Sequence, residues 1–121
     1  MAGTVTITEE RVGSVKAVRF AWTSSAGGAA DGTTTYAYNG ELLRVVTIPG
    51  TGGDQPTNLY DVVLNDADGL DLLFGNGANR SNAAAEQIAA SNLGAVANDK
   101  LTLGVTNAGN TKKGTVVAYI R

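Results

Sequence analysis

The sequence predicts an all-β fold, a single-domain β-sandwich with a jelly roll as its more specific form. Three observations predict it. Short segments alternate apolar and polar residues with period two, the signature of a strand with one buried face. The 16 Gly residues are scattered through 121 positions and punctuate those segments as turns would. Strand-like segments also follow one another without intervening long helices, which points to two packed sheets and not to parallel βαβ units.

Thr4 to Thr8 alternates strictly, with Val5 and Ile7 on one face, and Glu9-Glu10 bring the chain back to the surface. Residues 1–10 are thereby an edge strand or an N-terminal arm able to add a strand to a neighbour. Ser14 to Thr23 places Val18, Phe20 and Trp22 on a common face, a large apolar contribution to a core. A small-residue loop, Ser24 to Gly32, follows. Thr33 to Tyr38 reads as a third strand, and Asn39-Gly40 as a hairpin turn, because both residues tolerate positive φ. The returning strand, Glu41 to Ile48, contains Leu42-Leu43-Arg44-Val45-Val46, apolar on both faces, so it belongs at a sheet centre or under cover on both sides.

Leu59 to Leu64 directs Tyr60, Val62 and Leu64 to one side, and Leu70 to Phe74 alternates as a short strand. Ser81 to Ala90 stays open between one short surface helix, capped by Ser81 or Asn82 and built on Ala83-Ala84-Ala85, and an irregular excursion. Lys100 to Thr106 and Gly114 to Ile120 close the chain, joined by a polar loop from Asn107 to Lys113 that reads as a hairpin.

Composition narrows the function. The chain is 43% hydrophobic with net charge −2, within the globular range and without a basic stripe, so neither nucleic acid nor membrane is an expected partner. Met1-Ala2-Gly3-Thr4 does not open as a secretory leader does. His and Cys are both absent, which removes Ser-His-Asp and Cys-His chemistry and the usual zinc sites. The expectation is a protein that is not an enzyme and holds no cofactor or metal.

Several groups bear on that expectation. Asp66, Asp68 and Asp71 in D-x-D-G-x-D spacing have the hard oxygens of a calcium loop, but the plainer reading is a turn satisfied by Asp and Gly. Catalysis would need Asp61, Asp66, Asp68 or Glu41 to converge in a pocket. Gly75-Asn76-Gly77-Ala78-Asn79 has the look of a phosphate loop without the flanking Lys-Ser/Thr. Trp22, Tyr36, Tyr38 and Tyr60 would make a sugar-stacking platform if exposed, with Tyr38 the expected exposed member; Trp22, in register with Val18 and Phe20, reads as core. Arg80 is a solvated charge or, in an oligomer, an interface anchor. Lys112-Lys113 reads as a soluble loop tip.

The stretch Gly40 to Val46, with Pro49-Gly50, Pro56 to Asp61, Leu64-Asn65-Asp66, Gly69-Leu70-Asp71 and Gly77-Ala78-Asn79-Arg80, resembles small virion structural proteins of tailed bacteriophages. The ending, Leu101-Thr102-Leu103, Val105 to Gly109 and Gly114 to Val117, is similar to the same group. The likeness covers roughly residues 40–121 and is carried by turn signals on strands. It implies a β-rich capsid decoration or cement subunit, often a trimer, bound to the major capsid protein or other virion proteins on the particle surface after synthesis in the bacterial cytoplasm. A place in the neck, tail or fibre base is the first alternative, and a carbohydrate-binding β-sandwich module the second.

Overall fold

A computed structural model describes residues 3–11 and 13–121. Met1 and Ala2, part of the N-terminal stretch considered above, lie outside the described residues. Among the described residues nine strands form two antiparallel sheets: β1 (Thr4–Glu10), β2 (Lys16–Thr23), β3 (Ala30–Thr33), β4 (Tyr38–Pro49), β5 (Asp61–Asn65), β6 (Glu86–Ala89), β7 (Ala95–Asp99), β8 (Thr102–Thr106) and β9 (Lys113–Ile120). The large sheet runs β1-β2-β9-β4-β6, with β7 also paired to β4; the small sheet runs β3-β8-β5. The chain passes from β2 to β3, back to β4, over to β5, and later from β8 to β9. That wrapping, β2-β9-β4-β6/β7 facing β3-β8-β5, is the strand order of a jelly roll.

Alternation places the core where the sequence puts it. Val18, Phe20 and Trp22 of β2 line up across the large sheet with Val116 and Ala118 of β9 and with Val45 of β4. Val62 and Leu64 of β5 and Leu103 and Val105 of β8 face them from the small sheet, and all join one buried cluster. Full burial of such a side chain is worth roughly 1.5–3 kcal/mol. Trp22 and Tyr60 link the layers, their ring centroids 5.5 Å apart and tilted by 51°. β4 is central, between β9 and the pair β6/β7. β1 is not a free arm: it pairs along its length with β2, and Val5 and Ile7 pack against the core.

Several elements differ from the sequence reading. The third strand is Ala30–Thr33, and residues 34–37 cross between sheets. There the buried Thr34 hydroxyl donates to the Tyr36 carbonyl (2.7 Å) and accepts from the Leu101 amide (3.1 Å). Asn39-Gly40 is not a hairpin turn but lies inside β4 at a register shift. Gly40 takes φ +124° because the Arg121 backbone passes where a Cβ would stand, and Glu41 and Arg121 exchange backbone hydrogen bonds.

Leu70 to Phe74 is a series of turns with Leu72 and Leu73 both inside, so strict alternation fails there. Among the described residues there is no α-helix. The Ser81–Ala90 region is irregular, then β6, where Ile88 is buried opposite Val45. Asn107 to Lys113 joins strands of different sheets and is no hairpin.

Candidate functional site

The acidic turn is consumed by its own backbone. Asp66 Oδ1 accepts from the amides of Asp68 (2.9 Å) and Leu70 (3.0 Å). Asp71 Oδ1 accepts from Leu64 (3.1 Å) and Leu73 (3.0 Å), and its Oδ2 from Gly75 (2.9 Å). These are the bonds by which Asp stabilises turns. Among the described residues no three acidic side chains come together as a cation site. Asp61 is likewise engaged, accepting from the Asn79 amide (2.9 Å) and from Asn107 Nδ2 (2.6 Å), while Glu41 lies on β4 beside Ala95 of β7.

The glycine-asparagine loop is not arranged as a phosphate cradle. Amides of Phe74, Asn76 and Ala78 donate to carbonyls within the turn, and those of Gly75 and Asn79 to carboxylates. Instead the loop caps an edge. The outer edge of β5 meets Gly77 through the Val62 amide, Leu72 through the Leu64 carbonyl and Arg80 through the Tyr60 carbonyl. Isolated bridges at Asn65–Asp71 and Tyr60–Arg80 complete the cover. This segment stands where the fourth strand of the small sheet would stand, and it blocks an edge open to intermolecular pairing.

The aromatic residues do not form a platform. Trp22, Tyr38 and Tyr60 are at most 1% exposed, which corrects the expectation for Tyr38; Tyr36, at 45%, is the exposed one, with the Arg11 guanidinium 4.2 Å from its ring centre. Tyr38 is held inside because its hydroxyl donates to Glu9 Oε2 (2.6 Å), and Glu9 also accepts the amides of Thr35 and Tyr36. Burial first, and then this carboxylate, raises the Tyr38 hydroxyl well above its ordinary value.

Burial pushes the Tyr60 hydroxyl up to about 12, against the opposing pull of the Thr47 hydroxyl and Arg80. Thr47 stands near enough for that pull, but neither hydroxyl closes a hydrogen bond, and Arg80 Nε is buried without a partner as well. Arg80 is therefore not a freely solvated charge. Its Nη1 lies 3.8 Å from Glu86 Oε1, which also accepts the Ser81 amide. Lys112 is tied down too, its Nζ donating to the Gly53 carbonyl and its amide to Ser24 Oγ.

Large apolar side chains stand exposed on β5 and the segment around it: Leu59 (53%), Val63, Leu70 (66%) and Phe74 (68%). Leu59 and Phe74 also occupy the left-handed region, at φ 66° and 50°. A non-glycine residue there costs roughly 1–2 kcal/mol. Sequence periodicity missed this feature, since it set Leu70 and Phe74 on a strand face with Leu72; backbone sign is not legible in a Leu or a Phe. No helix among the described residues is long and apolar enough to cross a membrane. No protein-family model matches the chain, and no curated protein matches it.

Proposed function

We propose that this chain is a structural subunit of a tailed-phage virion, a decoration or cement protein and not an enzyme. It binds across junctions of the major capsid protein as a homo-oligomer, with a trimer the favoured state. The observation that carries this reading is the exposed apolar rim, with Leu59 and Phe74 displayed at the expense of backbone strain. A chain acting alone would gain by placing Gly or Asn at those positions and polar side chains on that rim. A chain that assembles recovers the cost when a neighbour covers the rim. The resemblance over residues 40–121 supports the same reading.

The mechanism is mechanical. A stiff two-sheet body spanning a junction must be detached before the subunits beneath it separate, and binding only the assembled lattice stabilises that lattice by mass action. Mass spectrometry and cryo-electron microscopy of purified particles test the proposal. The expected result is this chain on the head surface at hundreds of copies. About a dozen copies would instead place it in the neck or tail, and its absence from the particle would end the virion reading.

A further inference from the structure

The core holds a polar corner that its own side chains leave unpaired. Among the described residues four buried side-chain atoms have no hydrogen-bond partner: Trp22 Nε1, Thr47 Oγ1, Tyr60 Oη and Arg80 Nε. Thr47 is 1% exposed and Tyr60 0%. Buried polar atoms in folded chains are as a rule paired with protein or with ordered water, so such a group needs a physical reason.

Three of the four meet between the layers. Thr47 lies on β4 of the large sheet, opposite Glu86 of β6. Tyr60 stands at the entry to β5 of the small sheet and bridges to Arg80 of the segment that covers that sheet's edge. Tyr60 is common to the group, because its hydroxyl feels both the Thr47 hydroxyl and the Arg80 charge. The two hydroxyls nevertheless stop short of a direct bond. Trp22, the fourth, packs its ring against that of Tyr60, with centroids 5.5 Å apart.

Donors and acceptors select the occupant of this corner. Each hydroxyl donates one bond and accepts others, whereas Arg80 Nε only donates. A direct bond between Tyr60 and Thr47 would leave Nε unanswered. One water answers all three: it accepts from Arg80 Nε and from one hydroxyl and donates to the other, the usual three bonds of an internal water. The Arg80 guanidinium opposes a cation there. Glu86 opposes an anion, since its Oε1 lies 3.8 Å from Arg80 Nη1, balances that charge and is held by the Ser81 amide (2.7 Å).

We propose that Tyr60, Thr47 and Arg80 form an internal hydration site, in which a single water molecule joins the two hydroxyls to Arg80 Nε. That water ties β4 of the large sheet to the edge cover of the small one. The site is independent of what the outer surface binds.

A high-resolution crystal structure of the full chain is the direct test. The expected result is a density peak within about 3.2 Å of all three atoms. Tyr60 Oη bonded directly to Thr47 Oγ1, with no peak between them and Arg80, overturns the proposal. So does an anomalous peak at that place in a bromide-soaked crystal, because the occupant is then an anion. Thermal melting gives a second reading. Thr47→Val keeps the side-chain shape but removes one partner of the water, and should lower the melting temperature by roughly 3–6 °C. Tyr60→Phe should act in the same direction, and T47V/Y60F should fall by less than the two single shifts together, because both act through one water. A melting temperature unchanged or raised by Thr47→Val overturns the proposal, since removing an unpaired hydroxyl from a dry core is not destabilising. Additive falls overturn it as well. If a variant fails to fold, the wild-type crystal still decides.

Discussion

At Phe74 the local backbone and the side chain want opposite things, and a single substitution separates them. Phe74→Asn keeps the φ 50° conformation at lower cost and removes an exposed ring. It is expected to stabilise the isolated chain by about 0.5–1 kcal/mol in urea unfolding while weakening self-association in analytical ultracentrifugation. Gly114 is the contrasting case, because a Cβ there would enter the Trp22 ring space, so Gly114→Ala should destabilise by roughly 1–3 kcal/mol.

Tyr38 and Tyr60 set the alkaline limit. Both hydroxyls sit above the ordinary value of 10.0 in the folded chain, so the folded state keeps protons that the unfolded state releases. Their contribution is complete below pH 10 and is lost as pH rises, for Tyr60 through about 12. Each costs about 1.4 kcal/mol per pH unit in that window. Denaturant titrations from pH 9 to 12 should show the slope of Tyr60→Phe shallower by one proton.

Among elements, the segment around the acidic turn is held by Asp71 more than by any other side chain in it. Asp71→Ala removes an acceptor from three amides and should cost about 2–3 kcal/mol, with light scattering rising as the β5 edge opens. Asp68→Ala should change stability by less than about 0.5 kcal/mol, and added calcium should leave the melting temperature where it was.

The strands legible in the sequence were those whose alternation coincides with burial, β1, β2, β5, β8 and β9, together with β4, read over Glu41 to Ile48 from its apolar run. Asn39-Gly40 misled because a positive-φ pair serves a bulge as well as a turn, and only the passing Arg121 backbone distinguishes them. The alanines before β6 left a short helix open beside an irregular excursion because propensity is local, while the pull of Ile88 toward Val45 is tertiary. The acidic residues were legible as turn formers. The rim was not, because exposure of Leu70 and Phe74 depends on Leu72 and Leu73 taking the inside together.

For the whole molecule, pairings such as β2 with β9 and β3 with β8 join residues far apart in sequence, and a fold so built is expected to form in milliseconds to seconds in stopped-flow refolding. The order of the chain adds a sharper constraint. β9 is the last of the nine strands, yet it lies between β2 and β4 and is hydrogen-bonded to both. Until Lys113–Ile120 has left the ribosome, the larger layer exists as two halves with an unfilled slot between them. The larger layer therefore closes in one step, when β9 enters between β2 and β4 and joins its two halves.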